Sequence, residues 1–247
     1  MITLYAERCH NMAITIGIDS SSVTSSCAVL RDGELIAEGF VNNGLTHSQT
    51  LLPMIDDTLI KAGIGCADVD LISITKGPGS FTGLRIGMST AKGLAAPYNT
   101  ACVGISTLAA AAFGVYSSGG FADDALICAV MDARCGQVYN GIYAKSENGF
   151  YAVCNDRAIA IDELKAELCE NDKHIVLCGD GARLCYDRLA DEIDCEICAE
   201  DSMYVHGAAV AMLGERYRND AVDFCTLRPY YLRLPQAQRE LKLKKDK

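Results

Sequence analysis

ITIGIDSSSVTSSCAVLRDGELIAEGF, residues 14–40, reads as three strands in succession. The apolar run from Ile14 ends in Asp19, a second strand covers Ser26 to Leu30, and the Asp32-Gly33 pair is a hairpin signal returning the chain into a third. Beyond it the pattern predicts a helix over His47 to Lys61, a strand over Leu71 to Thr75, a helix from Gly83, a strand over Ala101 to Ile105 and a helix from Ser106. The order is βββαβαβα. It begins again at ALICAVMDARCGQVYNGIYAKSENGFY, residues 125–151, where an apolar strand once more ends in an aspartate, Asp132. Strands from Gln137 and after Glu147–Gly149 follow, then a helix over Ile161 to Leu168, a strand over His174 to Gly179 and a helix from Gly181. Two such units about 110 residues apart predict an internal structural repeat. The expected fold is α/β and two-lobed, with mixed sheets flanked by helices. Its expected divisions are an extension at 1–11, a first lobe at 12–115, a Gly/Ser/Asp-rich linker at 116–124, a second lobe at 125–226 and a C-terminal segment at 227–247.

KGPGSFTGLRIG, residues 76–87, predicts a strand, a glycine turn and a helix. Gly77, Gly79 and Gly83 tolerate backbone conformations that other residues resist, Pro78 fixes the entry, and Phe81 leads into the helix. Ser80 or Thr82 is placed to cap the helix N-terminus. Gly83, Gly87 and Ala91, with Ser89 and Gly93 spaced likewise, let another element pack close, either the chain's own sheet or a partner's helix. With the helix at 47–61 they suggest an interface made by His47, Leu51, Leu52, Ile55, Thr82, Gly83, Arg85, Gly87, Met88 and Ala91.

The 247 residues carry a formal net charge of −10, which argues against a dedicated nucleic-acid binder. The charge is uneven: 187–201 is acidic, whereas 228–247 holds seven Lys or Arg and ends KLKKDK. No apolar run is long enough to span a membrane, and the N-terminus lacks a signal-peptide pattern, so the expected location is cytoplasmic. Of thirteen cysteines, most sit in apolar runs as small hydrophobes; the one CxxC pair, Cys195 and Cys198, lacks the second pair that a zinc ribbon needs.

The repeat, with an aspartate closing each first strand, resembles the actin-like ATPase architecture, in which two aspartate turns and a glycine turn hold Mg-nucleotide between the lobes. Asp19, Asp132, Arg134, Gly179 and Gly181 would form that cleft here. An active phosphate loop of that kind places glycine soon after the first aspartate. This chain has Ser20-Ser21-Ser22 instead, and Arg134 competes for Asp132, so the cleft reads as vestigial.

THSQTLLPMI (46–55), GPGSFTGLRIG (77–87), DARCGQVY (132–139) and RPYYLR (228–233), in this order along the chain, resemble the TsaB (YeaZ) family. The resemblance implies a non-catalytic subunit that binds and activates the TsaD-type transferase in making N6-threonylcarbamoyladenosine on tRNAs reading codons that start with A. It implies a heterodimer with that transferase, a homodimer when alone, a TsaE-type ATPase as further partner, and tRNA contact only through the complex. No cofactor of its own is expected, ATP and metal residing on the partner. TsaD-type proteins hold metal with a helical HxxxH pair; here His47 is followed at the fourth position by Leu51, so no metal site is expected. The alternative from another class is an active actin-like ATPase or small-molecule kinase, or a metalloprotease of the glycoprotease type. The chemistry of these positions disfavours both.

Overall fold

The computed structural model describes residues 13–44, 46–119, 121–147 and 149–233. The first unit runs β1 (Ile14–Asp19), β2 (Ser25–Arg31), β3 (Glu34–Val41), α1 (His47–Ala62), β4 (Leu71–Gly77), α2 (Phe81–Ala95), β5 (Ala101–Ser106) and α3 (Thr107–Ser118). The second runs β6 (Leu126–Arg134), β7 (Gln137–Ser146), β8 (Gly149–Ala152), β9 (Arg157–Ala160), α4 (Ile161–Cys169), β10 (Ile175–Cys178), α5 (Ala182–Leu189), β11 (Cys195–Ile197) and α6 (Gly207–Arg216). The first sheet has the order β3-β2-β1-β4-β5 and the second β11-β10-β6-β7-β8, with β9 also on β7. In both, the first strand of the unit is antiparallel to its hairpin partner and parallel to the strand on its other side. The repeat read from the sequence is therefore a repeat of topology, and the fold is the two-sheet, actin-like one expected. At the first hairpin Asp32 and Gly33 have φ of 51° and 84°, the double left-handed pair that a two-residue turn needs.

Two helices cross between the expected lobes. α3 packs mainly against β6 and β7 of the second sheet, while α6 lies across β1, β2 and β4 of the first; the two helices also pack on each other. The expected linker at 116–124 overlaps the end of α3. Each unit thus covers the other's sheet with its third helix. Leu108 of α3, Ile127 of β6, and Val210 and Leu213 of α6 are fully buried in one core that also contains Leu71, Val103 and Ile105 of the first sheet. The reason lies in residue size. A Cβ at Gly207 would stand 2.5 Å from the Ala28 backbone nitrogen, and one at Gly214 would meet the Ser73 side chain at 2.5 Å, so α6 approaches this sheet only because these positions are glycine. Smaller clusters lie outside this core, one under α1 and α2 and one under α4 and α5.

Polar contacts fix α6 at both ends. At its C-terminus Arg218 donates to Glu215 and to Thr15 Oγ1 of β1. At its N-terminus His206 stacks on Phe40 of β3 with centroids 4.8 Å apart and faces Glu38 at 3.4 Å, and the Ala208 N–H donates to Glu38. Burial would raise the Glu38 carboxyl, but hydrogen bonds from His206 and from the Ala208 and Gly207 N–H groups outweigh it and hold it below the ordinary 4.5. The hydrogen bond to Glu38 raises His206 above the ordinary 6.5, against its burial. A lowered carboxylate stabilises above its unfolded value, and a raised imidazole stabilises below its own, so both contributions are complete between those two ordinary values. The penalty of Glu38→Gln is expected to be largest at about pH 5.5 and to shrink at about pH 9, as His206 loses its proton; melting curves of both proteins at the two pH values check this.

Among the described residues no helix is long and apolar enough to cross a membrane. Cys27, Cys102, Cys128, Cys178 and Cys185 are buried free thiols; burial pushes Cys27 up to about 12 and Cys102 to about 11, far from thiolate chemistry at neutral pH. The extension at 1–11 and the tail beyond Arg233 lie outside the described residues.

Candidate functional site: the cleft and the outer helix face

Asp19 closes β1 and is fully buried. One of its oxygens accepts hydrogen bonds from Thr75 Oγ1 of β4 at 2.6 Å, Ser21 Oγ at 2.6 Å and the Ser21 N–H at 3.1 Å, while the other has no partner among the described residues. Burial raises this carboxyl despite those hydrogen bonds. What buries it is contact between the two loops. The Ser80 N–H donates to the Ser21 carbonyl at 2.7 Å, and Ser20 Oγ donates to the Gly83 carbonyl at 3.0 Å. Gly79, at φ 156°, stands where a Cβ would overlap the Ser21 carbonyl, and a Cβ at Gly83 would overlap that of Ser20. The glycines of this loop therefore serve an approach to the chain's own serine turn.

Opposite, at the end of β6, Asp132 pairs with Arg134 at 3.0 Å and accepts from the Arg134 N–H at 2.7 Å. Its own N–H donates to Asp180 at 3.2 Å. Gly179 and Gly181 let this turn press on β6, where a Cβ at Gly179 would overlap the Val130 carbonyl and one at Gly181 would be 3.1 Å from the Asp132 nitrogen. Burial pushes Asp180 up to about 6, the Asp132 N–H opposing and the Asp132 carboxylate reinforcing the rise. A cavity of about 310 Å³ remains, lined by Ser22, Ser80, Asp132, Arg134 and Asp180 among others. The structure thus brings together Asp132, Arg134, Gly179 and Gly181 as the sequence suggested, but seals Asp19 beneath its serines.

Ser80 caps α2, accepting from the Gly83 N–H at 3.2 Å, and Phe81 stacks on Tyr231 with centroids 4.6 Å apart. The C-terminal motif is a strap over these ends. The Tyr230 N–H donates to the Lys76 carbonyl at 2.6 Å, Arg85 Nε donates to Tyr231 Oη at 3.1 Å, and Arg233 donates to the Ala133 carbonyl at 2.5 Å. Gly77, at φ 120°, is needed because the Tyr230 carbonyl passes where its Cβ would be.

The expected interface residues divide by burial. Leu51, Ile55, Gly83, Gly87, Met88 and Ala91 all face inward. A Cβ at Gly87 would overlap Ser20 Oγ and stand 3.2 Å from Ile74, so Gly83 and Gly87 seat α2 on its own sheet; this corrects their placement at a partner surface. The outward residues are Thr82 and Arg85 on α2 and Leu52 on α1, the last 55% exposed. His47 is half-buried with Nε2 2.8 Å from the Ser22 carbonyl, which can only accept, so Nε2 carries the proton. Two more residues are outward: Ile60, 67% exposed, which the interface reading left out, and Gly93, which it named with Ser89 for close packing and above which a Cβ would find open space. Their helical spacing from Leu52 and Ser89 was the available signal. α1 and α2 pack on each other. Among the described residues no group of three His, Cys, Asp or Glu side chains is arranged to hold a metal.

A family model described as "TsaD: tRNA N6-adenosine threonylcarbamoyltransferase" matches residues 44–237. The "tRNA threonylcarbamoyladenosine biosynthesis protein TsaB" of Bacillus subtilis is 30% identical over 225 residues, covering 90% of this chain and 95% of that one. The protein of the same description from Escherichia coli is 36% identical over 136 residues, 55% of this chain and 57% of its own length. The solved structure of YeaZ from Pseudomonas aeruginosa superposes with a TM-score of 0.77 at 26% identity, over 90% of this chain and all of that one. The chain belongs to the TsaB (YeaZ) family.

Proposed function

We propose that this chain acts in tRNA threonylcarbamoyladenosine biosynthesis as a partner subunit without chemistry of its own, binding and activating a TsaD-type transferase. Family membership supports the pathway. The observation that carries the subunit role is the exposed surface of the neighbouring helices α1 and α2: Leu52 and Ile60 stand exposed on α1 and the small positions Ser89 and Gly93 on α2, on a chain whose first cleft aspartate lies under its own serine loop. Exposed apolar side chains beside small residues suit close helix-to-helix docking. The same surface serves self-pairing when the transferase is absent. A TsaE-type ATPase and tRNA, on codons beginning with A, join through the resulting complex, and ATP and metal belong to the partner.

A reconstituted reaction tests this. tRNA, threonine, bicarbonate, ATP and the cognate enzymes are combined with and without this chain, and modified adenosine is quantified by mass spectrometry. Product that appears only with the chain present, and never with the chain alone, is the expected result. Equal product without it overturns the subunit role, and product from the chain alone overturns its lack of chemistry.

A further inference from the structure

On the side of the molecule carrying the β7–β9 excursion, two cavities of about 410 and 440 Å³ share Lys76, Ser106, Ala109 and Tyr217, and so form one trough. Lys76 and Tyr230, joined through the strap, line it, whereas Asp19, Asp132, Arg134, Asp180 and the outer residues of α1 and α2 do not. Its geometry comes from a break in the second sheet. β7 pairs with β8 along Tyr143–Ser146 and with β9 along Gln137–Asn140, and between these partners the chain makes an excursion at 153–156. The excursion is pinned where the Val153 N–H donates to the Ile142 carbonyl at 2.7 Å. Its last residue, Asp156, occupies the space above Gly141, where a Cβ would lie 3.2 Å from the carboxylate.

Asp156 is held by two hydroxyls, Ser106 Oγ at 2.5 Å on one oxygen and Tyr143 Oη at 3.0 Å on the other. Ser106 also accepts the Ala109 N–H as the cap of α3, which fixes its hydroxyl proton toward the carboxylate. Each carboxylate oxygen retains accepting capacity for a further donor. Burial raises this group, and the Ser106 and Tyr143 hydrogen bonds and the Lys76 ammonium oppose the rise. Lys76 lines the same cavity, its stem lying over Gly104, where a Cβ would meet Cδ at 2.9 Å. It influences Asp156 across the trough, yet among the described residues no salt bridge closes between them. Tyr151, Tyr217 and Tyr230, 46%, 41% and 46% exposed, stand around the opening.

A cation and a mostly buried carboxylate that face the same cavity without pairing match a ligand carrying both charges on adjacent atoms. The rings around them suit an apolar side chain. We propose that this trough binds a free α-amino acid, its carboxylate on Lys76, its ammonium on Asp156 and its side chain among the tyrosines. A polyanion fits less well, because the cations Lys76 and Arg228 are matched in the lining by Asp156 and Asp220 and the chain carries a net charge of −10.

The test is calorimetric titration of the full chain with L-phenylalanine and, separately, with the other amino acids at about 5 mM. Saturable binding with Kd below about 1 mM is expected for at least one apolar amino acid. For phenylalanine, phenethylamine and 3-phenylpropionate, each lacking one charge, should bind at least about tenfold more weakly. Lys76→Met should weaken the amino acid at least about tenfold without lowering the melting temperature, and Asp156→Asn should do the same if the protein remains folded. No heat with any amino acid overturns the proposal, as does binding that survives in Lys76→Met. A single-stranded RNA oligonucleotide that binds in a Lys76-dependent way where amino acids do not would overturn it too, and assign the trough to nucleic acid.

Discussion

Gly17→Ala is expected to lower the melting temperature by at least about 6 °C, equivalent to about 3 kcal/mol in a chain of this size. Gly17 lies in the middle of β1, where α6 crosses the first sheet. An added Cβ would overlap the Gly207 carbonyl and the Ala211 nitrogen and stand 2.8 Å from the Ala211 Cβ. None of these atoms belongs to a flexible side chain, so the helix must move away from the strand. Val210 and Leu213 on that helix are fully buried in the core common to both sheets, so the displacement would open contacts in both lobes. Gly93→Ala is the control. It adds a methyl in open space on α2 and replaces a poor helix former, so melting should be unchanged or slightly raised. Calorimetry or far-UV circular dichroism measures both. A Gly17→Ala protein melting within about 1 °C of the parent would mean that α6 does not lie on β1.

Leu52→Asp combined with Gly93→Arg should weaken pairing with the TsaD-type partner more than about a hundredfold while leaving melting nearly unchanged. Leu52 is 55% exposed and Gly93 faces open space, so neither change disturbs the folded chain, and each places a charge where apolar docking is proposed. Gly87→Leu makes the instructive contrast. Its side chain would enter the contact with Ser20 and Ile74, so it should lower melting first, and any loss of pairing would follow from the damaged fold. Size-exclusion chromatography with light scattering, together with melting curves, separates the two. If the Leu52/Gly93 variant pairs as tightly as the parent, the partner docks elsewhere.

The repeat was legible because each unit opens with an apolar strand closed by an aspartate and returned by a short turn, a pattern set by residues close in sequence. The hairpin at Asp32-Gly33 is of the same kind: its left-handed backbone is a local requirement, visible in the residues themselves. The absence of a second histidine at Leu51 could also be read directly. The cleft was only partly legible. Asp132 with Arg134 is a local pair two residues apart, but the burial of Asp19 depends on Ser80 meeting Ser21, and no sequence pattern states that distance. The direction in which Gly83 and Gly87 face was not legible either. Small residues four apart mark a close approach without saying to what, and here the near surface is the Ser20 turn.

The sequence by itself determined the kinds and order of most elements, though not β9, β11 or α6, together with the turns joining them and the family, because periodicity and turn chemistry act over a few residues. Only the tertiary structure decided that α3 and α6 exchange sheets, that six of the expected interface residues are internal, and that Asp156 meets Ser106 and Tyr143 beside Lys76. Those outcomes depend on which surfaces bury one another across 50 to more than 150 residues of chain, as when Gly207 admits α6 against Ala28 or Ser106 reaches Asp156. Such contacts are settled by packing in three dimensions, where a single Cβ decides whether a helix can approach.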